Sequence, residues 1–297
     1  MRISDRILFD GVRANLQHNL GQVARVGEEL ASGRRLHVPS DDPVATAQAL
    51  RHRRDLALNR QYLRGVDAAR ARLSAVDQAL GGLTETLQRA RELALQAGSG
   101  VLGTDQMQAI GVELNQLVQH AIQLGNTSFA GQFLFAGTKT TTPPFAPTGD
   151  PNVPTSVTYT GNAVAIAQDL GQGVQVRVDV PGNQAVLPAI QALIQLRDAV
   201  TAGDSVAATG PALSALDGAL DTVLQVRGSV GARVNRLDAI GNQLTEEQTS
   251  LEGLRSGLEE IDVADTVVRL NAARNVYEAA LGAAARAIQP SLLDFLR

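Results

Sequence analysis

Ser32-Gly33-Arg34-Arg35-Leu36-His37-Val38-Pro39-Ser40-Asp41-Asp42-Pro43-Val44 is the stretch that decides the fold, because it ends one helical pattern and begins another. Gly33 can adopt the left-handed conformation that closes a helix, and Pro39 prevents the helix from continuing. Asp42 is suited to cap the next helix, Pro43 to occupy its first turn, and Asp41 to place negative charge at its positive end. These five residues predict a fixed joint between a short helix and a very long one.

Upstream of the joint, apolar residues in residues 1–31 recur at alternating spacings of four and three. Leu16, Leu20, Val23, Gly27 and Leu30 follow this spacing, which predicts a coiled-coil seam that Ile3 and Ile7 extend weakly. Glycines at positions 11, 21 and 27 each weaken the helix by about 1 kcal/mol relative to alanine. A helix of this length is marginal alone, so we expect it to need a partner.

Downstream of the joint, breakers divide the chain into long segments. The pattern predicts a helix over residues 43–97, a third helix over 104–124 that folds back antiparallel on it, a helix over 187–200 and a second very long helix over 213–285. Residues from about 126 onward are β-rich, and Val174–Val180 alternates strictly, which predicts a half-buried strand with Arg177 and Asp179 facing solvent.

These segments predict a mainly α fold with a small β-rich insert, arranged as a long antiparallel helical bundle or coiled-coil rod. We predict a terminal helical core domain from residues 1–42 and 265–297. Residues 43–128 and 187–264 are then a helical rod domain, and residues 129–186 a β-rich outer insert domain.

Composition and motifs argue against catalysis. The chain has no cysteine, a formal net charge of −4 and only 3% aromatic residues. Its four histidines are far apart in sequence and have no second ligand at helical spacing. Helix capping is a better interpretation of Asp41 and Asp42 than acid–base chemistry or magnesium binding. We therefore expect no enzyme activity and no catalytic, cofactor-binding or metal site, and no nucleic-acid or membrane binding.

Both ends of the sequence carry apolar residues that a monomer has little to bury. Frayed termini are one interpretation, and helices that pack only in an assembly are the other. On the second interpretation the predicted assembly interface comprises Ile3, Ile7, Leu16, Leu20, Val23, Leu30, Leu281, Ile288, Leu292, Leu293, Phe295 and Leu296.

The termini and the start of the insert resemble a known family. Met1-Arg2-Ile3-Ser4, Leu30-Ala31-Ser32-Gly33-Arg34-Arg35-Leu36 and Pro39-Ser40-Asp41-Asp42-Pro43 resemble the N-terminus of the flagellar hook-associated protein 3 family, the hook–filament junction proteins of the flagellin superfamily. Phe133-Leu134-Phe135-Ala136-Gly137-Thr138-Lys139-Thr140 is similar to the entry to that family's outer domain. Ser291-Leu292-Leu293-Asp294-Phe295-Leu296 is similar to its C-terminal end.

The resemblance implies a non-enzymatic structural protein that forms a ring between hook-associated protein 1 and flagellin, by coupled folding and binding of its terminal helices. It implies as partners these two proteins, further copies of the chain and a cytoplasmic flagellar export chaperone. The N-terminus has no secretory signal, which alone predicts a cytoplasmic protein. The resemblance instead implies export through the flagellar type III apparatus to an extracellular flagellum. A flagellin-type filament subunit and a generic coiled-coil tether are the alternatives.

Overall fold

The computed structural model describes residues 2–99 and 103–288, and the side chains of residues 9–99 and 103–286. The described helices are α1 (Arg2–Ser32), α2 (Pro43–Ala97), α3 (Thr104–Gly125), α4 (Gly182–Thr201), α5 (Ser205–Thr209), α6 (Pro211–Glu259) and α7 (Val263–Ile288). The described strands are β1 (Ser128–Phe129), β2 (Gln132–Phe133), β3 (Phe145–Asp150), β4 (Val153–Tyr159), β5 (Ala167–Asp169) and β6 (Gln175–Arg177). The predicted fold class, mainly α with a small β-rich insert, is confirmed.

The chain divides into two compact units. The first unit comprises Met1–Leu58 and Gln248–Arg297, and the second comprises Asn59–Glu247. Helices α2 and α6 contribute residues to both units, whereas α1 and α7 belong to the first, and α3, α4, α5 and the strands belong to the second. The division into three domains that the sequence suggested stays a prediction.

In the second unit, α2 and α6 run antiparallel. Polar side chains join them at successive levels: Asn59 Nδ2 with Glu247 Oε2 (3.3 Å), Arg70 with Asp238, Arg227 Nε with Asp77 Oδ1 (3.0 Å), and Arg91 Nε with Asp217 Oδ1 (2.8 Å). Below these pairs lie aliphatic side chains that are at most 2% exposed, namely Val66, Leu73, Val76, Leu80, Leu83 and Leu87 on α2 and Leu216, Val223, Val230 and Leu237 on α6. Complete burial of this many aliphatic groups stabilises the pair strongly.

Helix α3 folds back on α2, as predicted. Arg89 of α2 donates to Glu113 of α3 (Nε to Oε1, 2.8 Å), and a Cβ built on Gly82 of α2 would lie 3.3 Å from the side chain of Leu124. Positions rise on α2 as they fall on α3, so the two helices are antiparallel. Helix α4 packs along α3 and also against β4.

The insert consists of three separate antiparallel strand pairs, β1–β2, β3–β4 and β5–β6. The predicted alternation holds for the apolar side, because Val176, Val178 and Val180 are 2–4% exposed. The strand itself is shorter than predicted and ends at Arg177. The prediction that Asp179 faces solvent is wrong: its side chain is fully buried and paired with Arg177.

The prediction of one helix over residues 213–285 is also wrong. Helix α6 ends at Glu259, and α7 begins at Val263 after a three-residue connection. Asp262 caps α7, since its Oδ1 accepts the N–H of Ala264 (2.9 Å) and of Asp265 (3.2 Å). The predicted helix over residues 187–200 begins earlier, at Gly182.

Candidate assembly surface

The joint between α1 and α2 is built from local hydrogen bonds. Gly33 has φ +69° and its N–H donates to the carbonyl of Glu29 at 2.9 Å, which closes α1. Asp42 Oδ1 accepts the N–H of Ala45 at 2.9 Å, and Pro43 is the first residue of α2. Pro39 lies in the turn between them and is exposed.

Asp41 organises the turn itself. Its Oδ2 accepts the N–H groups of Val38 (3.0 Å) and His37 (3.1 Å), and Arg25 of α1 lies 3.7 Å from its Oδ1. These two backbone hydrogen bonds, helped by the positive charges of Arg25 and His37, hold the pKa of the Asp41 carboxyl below its usual value. The ionised carboxylate is therefore the form that supports the turn.

The joint is tied to the connection between α6 and α7. The N–H of Arg35 donates to the carbonyl of Glu259 (2.8 Å), and the N–H of Ile261 donates to the carbonyl of Gly33 (3.2 Å). The Arg35 guanidinium adds a bond from Nη2 to the carbonyl of Leu258 at 3.1 Å. The two places where the helices of the first unit are interrupted thus support each other.

Two buried glutamates neutralise arginines around this crossing. Glu29 is 5% exposed and lies 3.5 Å from Arg25 and 3.4 Å from Arg269 of α7. Glu259 is 6% exposed, and its Oε2 accepts a hydrogen bond from Arg53 Nη2 at 2.8 Å, which raises the pKa of Arg53. Arg53 belongs to the arginine-rich run at residues 51–54, which the sequence alone would assign to a solvated face, and it instead pairs with a buried glutamate.

Helices α1 and α7 pack against each other, and they run antiparallel because Glu29 pairs with Arg269 while Gly33, further along α1, bonds Ile261 before α7. The seam positions of α1 are Val12, Leu16, Asn19, Val23, Val26 and Leu30, and those of α7 are Thr266, Leu270, Ala273, Tyr277, Ala280 and Ala284. Both sets are spaced alternately by four and three residues, the coiled-coil spacing. The predicted seam shares Leu16, Val23 and Leu30 with the observed one, but Asn19 and Val26 occupy the positions expected for Leu20 and Gly27.

The shifted register leaves apolar side chains outside the seam. At 100° per residue, Phe9 and Leu20 lie about 60–80° around α1 from the seam, and each is 51% exposed. On α7, Val268, Val276 and Leu281 are 66%, 56% and 42% exposed. We call these five residues the outer apolar set; burying them requires a surface that the described part of the chain does not supply.

The structure therefore separates the predicted interface residues into three groups. Leu16, Val23 and Leu30 are half-buried in the seam with α7, whereas Leu20 and Leu281 belong to the outer apolar set. The side chains of Ile3, Ile7, Ile288, Leu292, Leu293, Phe295 and Leu296 lie outside the described residues.

The valines of α7 were missed because the sequence was treated there as one continuous stripe. Val268 and Val276 fall outside the seam spacing of Leu270 and Tyr277, and a separate count for each helix finds them. Assigning the heptad spacing separately for α6 and α7 requires recognising that Asp262 can cap a new helix. Aspartate is a common N-cap residue, so the sequence contains this signal.

Further apolar groups lie at the joint. Val38 is 50% exposed and Leu50 is 57% exposed, and with Leu36 and Pro39 they line an open depression of about 260 Å³ in the first unit. Among the described side chains no three His, Asp or Glu residues come together as a metal site would require. No helix within the described ranges is both long and apolar enough to cross a membrane.

Comparison with known proteins finds two family models. The bacterial flagellin N-terminal helical region matches residues 3–140, and the bacterial flagellin C-terminal helical region matches residues 213–296. The chain is 25% identical over 294 residues to flagellar hook-associated protein 3 of Escherichia coli K12, covering 90% of each chain. It is 28% identical over 283 residues to a Bacillus subtilis flagellin, covering 89% of this chain and 88% of the flagellin.

The fold also matches solved structures. The crystal structure of Bacillus cereus FlgL superimposes with a TM-score of 0.61 and 25% sequence identity, covering 69% of this chain and 99% of that one. The relatives by sequence and the relatives by structure thus agree, and both include flagellar hook-associated proteins.

Proposed function

Because this chain belongs to the flagellin superfamily and is a structural protein of the flagellum, we propose that it forms the junction ring between the hook and the filament. In this proposal the ring contacts hook-associated protein 1 on one side and flagellin on the other. Further copies of the chain are its lateral neighbours. The chain is exported through the flagellar type III apparatus with the help of a cytoplasmic chaperone. The similarity to a hook-associated protein over 90% of both chains supports the junction role.

The single observation that carries the assembly mechanism is the outer apolar set on α1 and α7. Phe9 and Leu20 of α1 are large apolar side chains that are each 51% exposed. Burial of apolar surface contributes about 25 cal/mol per Å², so each such side chain favours association once a complementary helix is present. We propose that neighbouring copies supply that helix.

The small amount of apolar surface that α1 and α7 bury against each other supports assembly by coupled folding and binding. Of the described α1 side chains, only Val26 and Glu29 are buried, and glycines at 11, 21 and 27 have open space around them. A pair stabilised this weakly opens often in the monomer. It gains order when neighbours cover the outer apolar set, at the entropic cost typical of folding on binding.

The experiment that tests this proposal compares Leu20→Asp with Gln17→Asp. Both changes place a carboxylate on an exposed position of α1, but only Leu20 belongs to the outer apolar set. We expect Leu20→Asp to give a soluble, folded protein that no longer supports filament growth in motile cells, and Gln17→Asp to support it. Leu293→Asp tests the C-terminal end in the same assay. Filament growth with Leu20→Asp would disprove the assigned surface.

Hydrogen exchange of the purified monomer tests the coupled-folding step separately. We expect fast exchange over residues 1–40 and 265–297 and slow exchange over residues 59–97 of α2. Equal protection of both regions in the monomer would mean that α1 and α7 are already stably paired, and assembly would then proceed by docking of preformed helices.

The similarity to flagellin favours a second candidate, a filament subunit. The two functions differ in the number of copies incorporated, because a filament subunit polymerises indefinitely and a junction protein stops at a ring. Quantitative mass spectrometry of sheared flagella distinguishes them. A chain present at the level of the major filament protein is a flagellin, and one present at a small constant number per flagellum is a junction protein.

A further inference from the structure

Asp179, in the second unit, is a fully buried carboxylate that the assembly proposal does not use. Its Oδ1 accepts from Arg177 Nε and from the N–H of Ile166, both at 2.8 Å, and its Oδ2 accepts from Arg177 Nη2 at 2.9 Å. The forked bond with Arg177 satisfies the carboxylate and fixes the guanidinium. Asp179 is thus an anchor that holds Arg177 in place.

Two further arginines come close to this anchor from the α2/α6 pair. Arg233 of α6 donates from Nη1 to the backbone carbonyl of Asp179 at 2.9 Å. Arg72 of α2 lies between the levels of the Arg70–Asp238 and Asp77–Arg227 pairs, and so does Arg233. The two helices therefore present Arg72 and Arg233 at the same level, and the charge of Asp179 acts on both.

The charges in this cluster do not balance. Arg72, Arg177 and Arg233 contribute three positive charges against the one carboxylate of Asp179, whose hydrogen bonds go to Arg177 and Ile166. Arg72 donates from Nη1 to Gln132 Oε1 at 3.0 Å, but its Nε and Nη2 are buried and have no acceptor among the described residues. Buried donors without an acceptor are costly, so this arrangement favours a further acceptor.

The arginines lie in a partly buried environment with an excess of positive charge. Burial lowers the pKa of Arg72, and burial together with the neighbouring charge of Arg177 lowers the pKa of Arg233. Arg177 and Arg233 remain partly exposed, so the cluster is reached from solvent. Arg177 Nη1 and Arg233 Nε and Nη2 are not used in the contacts to Asp179 and can donate to an incoming group.

We propose that Arg72, Arg177 and Arg233 form a binding site for an oxyanion, either a phosphate-type group or a carboxylate. Guanidinium groups bind both in a planar, two-pronged manner, and two unmatched positive charges favour a dianion. A free inorganic anion and an acidic side chain of another protein chain share this chemistry. The site lies in the second unit and is independent of the outer apolar set, so it goes beyond the assembly function.

The test is a thermal unfolding titration of the full chain with sodium phosphate, with sodium chloride at matched ionic strength as reference. We expect phosphate to raise the unfolding midpoint, because a ligand that binds the folded state stabilises it. In Arg233→Met and Arg72→Met we expect the apparent Kd for phosphate to weaken about tenfold or more, since each loses charge-assisted hydrogen bonds. Arg91→Met, which breaks the pair with Asp217 on the same helices, is the matched control and retains phosphate binding.

An acetate arm distinguishes the two sources. A response to acetate as strong as that to phosphate identifies a carboxylate site, suited to an acidic side chain, whereas a response to phosphate alone identifies a phosphate-type ligand. No stabilisation by either anion, or equal stabilisation of wild type and both arginine variants, would overturn the proposal.

A measurement on the unmodified protein removes any dependence on variant folding. Arginine side-chain NMR of the wild type reports the Nε–H groups directly, and we expect those of Arg72 and Arg233 to shift on phosphate addition while that of Arg91 does not. Uniform small shifts of all three would reflect ionic strength alone and would contradict the site. Failure of this test leaves the filament-growth assay of Leu20→Asp unaffected, and the reverse also holds.

Discussion

The two long antiparallel helix pairs of this protein look alike in sequence but differ in what they bury. In the second unit, α2 presents Leu73, Leu80 and Leu87 at 0% exposure to its neighbours. In the first unit, most seam positions of α1 and α7 are only half-buried. Both pairs follow the coiled-coil spacing, so periodicity does not explain the difference.

The difference lies in the size and polarity of the seam residues. Asn19 on α1 and Thr266, Ala273, Ala280 and Ala284 on α7 take positions where α2 and α6 have leucine and valine. Smaller side chains remove less apolar area from water, so the α1/α7 pair gains less from folding. The seam still holds leucines, but the five residues of the outer apolar set lie on other faces of α1 and α7. One pair buries its leucines within the described chain, whereas the other leaves large apolar side chains exposed, and our proposal is that partner chains cover them.

The largest expected effect breaks this comparison directly. Leu80→Ala removes a fully buried side chain from α2 and should lower the free energy of unfolding of the second unit by about 2–5 kcal/mol. Leu16→Ala, the same chemical change at a half-buried seam position of α1, should cost about 1 kcal/mol or less. Guanidinium unfolding, monitored by hydrogen exchange of peptides from each helix, measures the loss of stability in both variants.

Equal losses in the two variants would contradict the comparison, because they would show that the α1/α7 seam is as tightly packed as the α2/α6 core. If Leu16→Ala lowers hydrogen-exchange protection only in α1 and α7 peptides, the two units unfold separately, and the contrast between the two helix pairs becomes sharper.

Local signals explain what the sequence predicts well. Helix α2 begins at Pro43 and ends at Ala97, as the proline and the following Gly98 and Gly100 indicate. Proline suits the first turn of a helix, where its missing N–H costs nothing, and glycines weaken a helix end, so both signals act locally. Boundaries set by such residues are therefore readable without tertiary information.

The break between α6 and α7 is different, because an uninterrupted apolar period runs through it. Leu258 and Ile261 keep the heptad spacing across the connection. The connection is held by the bonds of Gly33 and Arg35 to Ile261 and Glu259, more than 200 positions away. A window of neighbouring residues contains no trace of these partners, so the period alone predicted one helix.

Partners that are distant in sequence also determine which side chains of the candidate sites are buried. Leu20 fits the predicted seam as well as Leu16 does, and only the position of α7 shows that Asn19 is the one that faces inward. Asp179 alternates with buried valines and so is assigned to the solvated side, yet Arg177 and the N–H of Ile166 make its burial possible. Asn126 likewise donates from Nδ2 to the carbonyl of Phe145 (2.8 Å) and accepts the N–H of Phe145 at Oδ1 (2.9 Å). Its sequence neighbours do not indicate this role.

The same substitution, glycine to alanine, should change the stability of the first unit in opposite directions at the joint and inside α1. Gly33 has φ +69°, so Gly33→Ala should destabilise the first unit by about 1–2 kcal/mol, the cost of a left-handed alanine. Gly21 lies inside α1 with open space around it, so Gly21→Ala should stabilise the helix by about 0.5–1 kcal/mol. Hydrogen exchange of α1 peptides in the monomer measures both.

The Gly21→Ala variant also sharpens the comparison between the two pairs. If weak intrinsic helix stability keeps α1 in reserve for assembly, this variant should show slower exchange in the monomer and earlier self-association. Faster exchange in Gly21→Ala, or unchanged exchange in Gly33→Ala, would contradict the assigned backbone roles.

The smallest expected effect is the pH dependence of the joint, where the first unit relies on a charge rather than on apolar burial. Asp41 accepts the N–H groups of Val38 and His37, and these bonds lower its pKa. A lowered pKa means that the carboxylate stabilises the folded joint at pH values above the unfolded-state pKa of about 4. That contribution is lost as the pH falls through the folded-state pKa.

The amide proton shifts of His37 and Val38, followed by NMR from pH 6 downward, should therefore titrate below about pH 4. In Asp41→Asn this titration should be absent, and a transition above pH 4 in the wild type would show that the hydrogen bonds do not favour the ionised form.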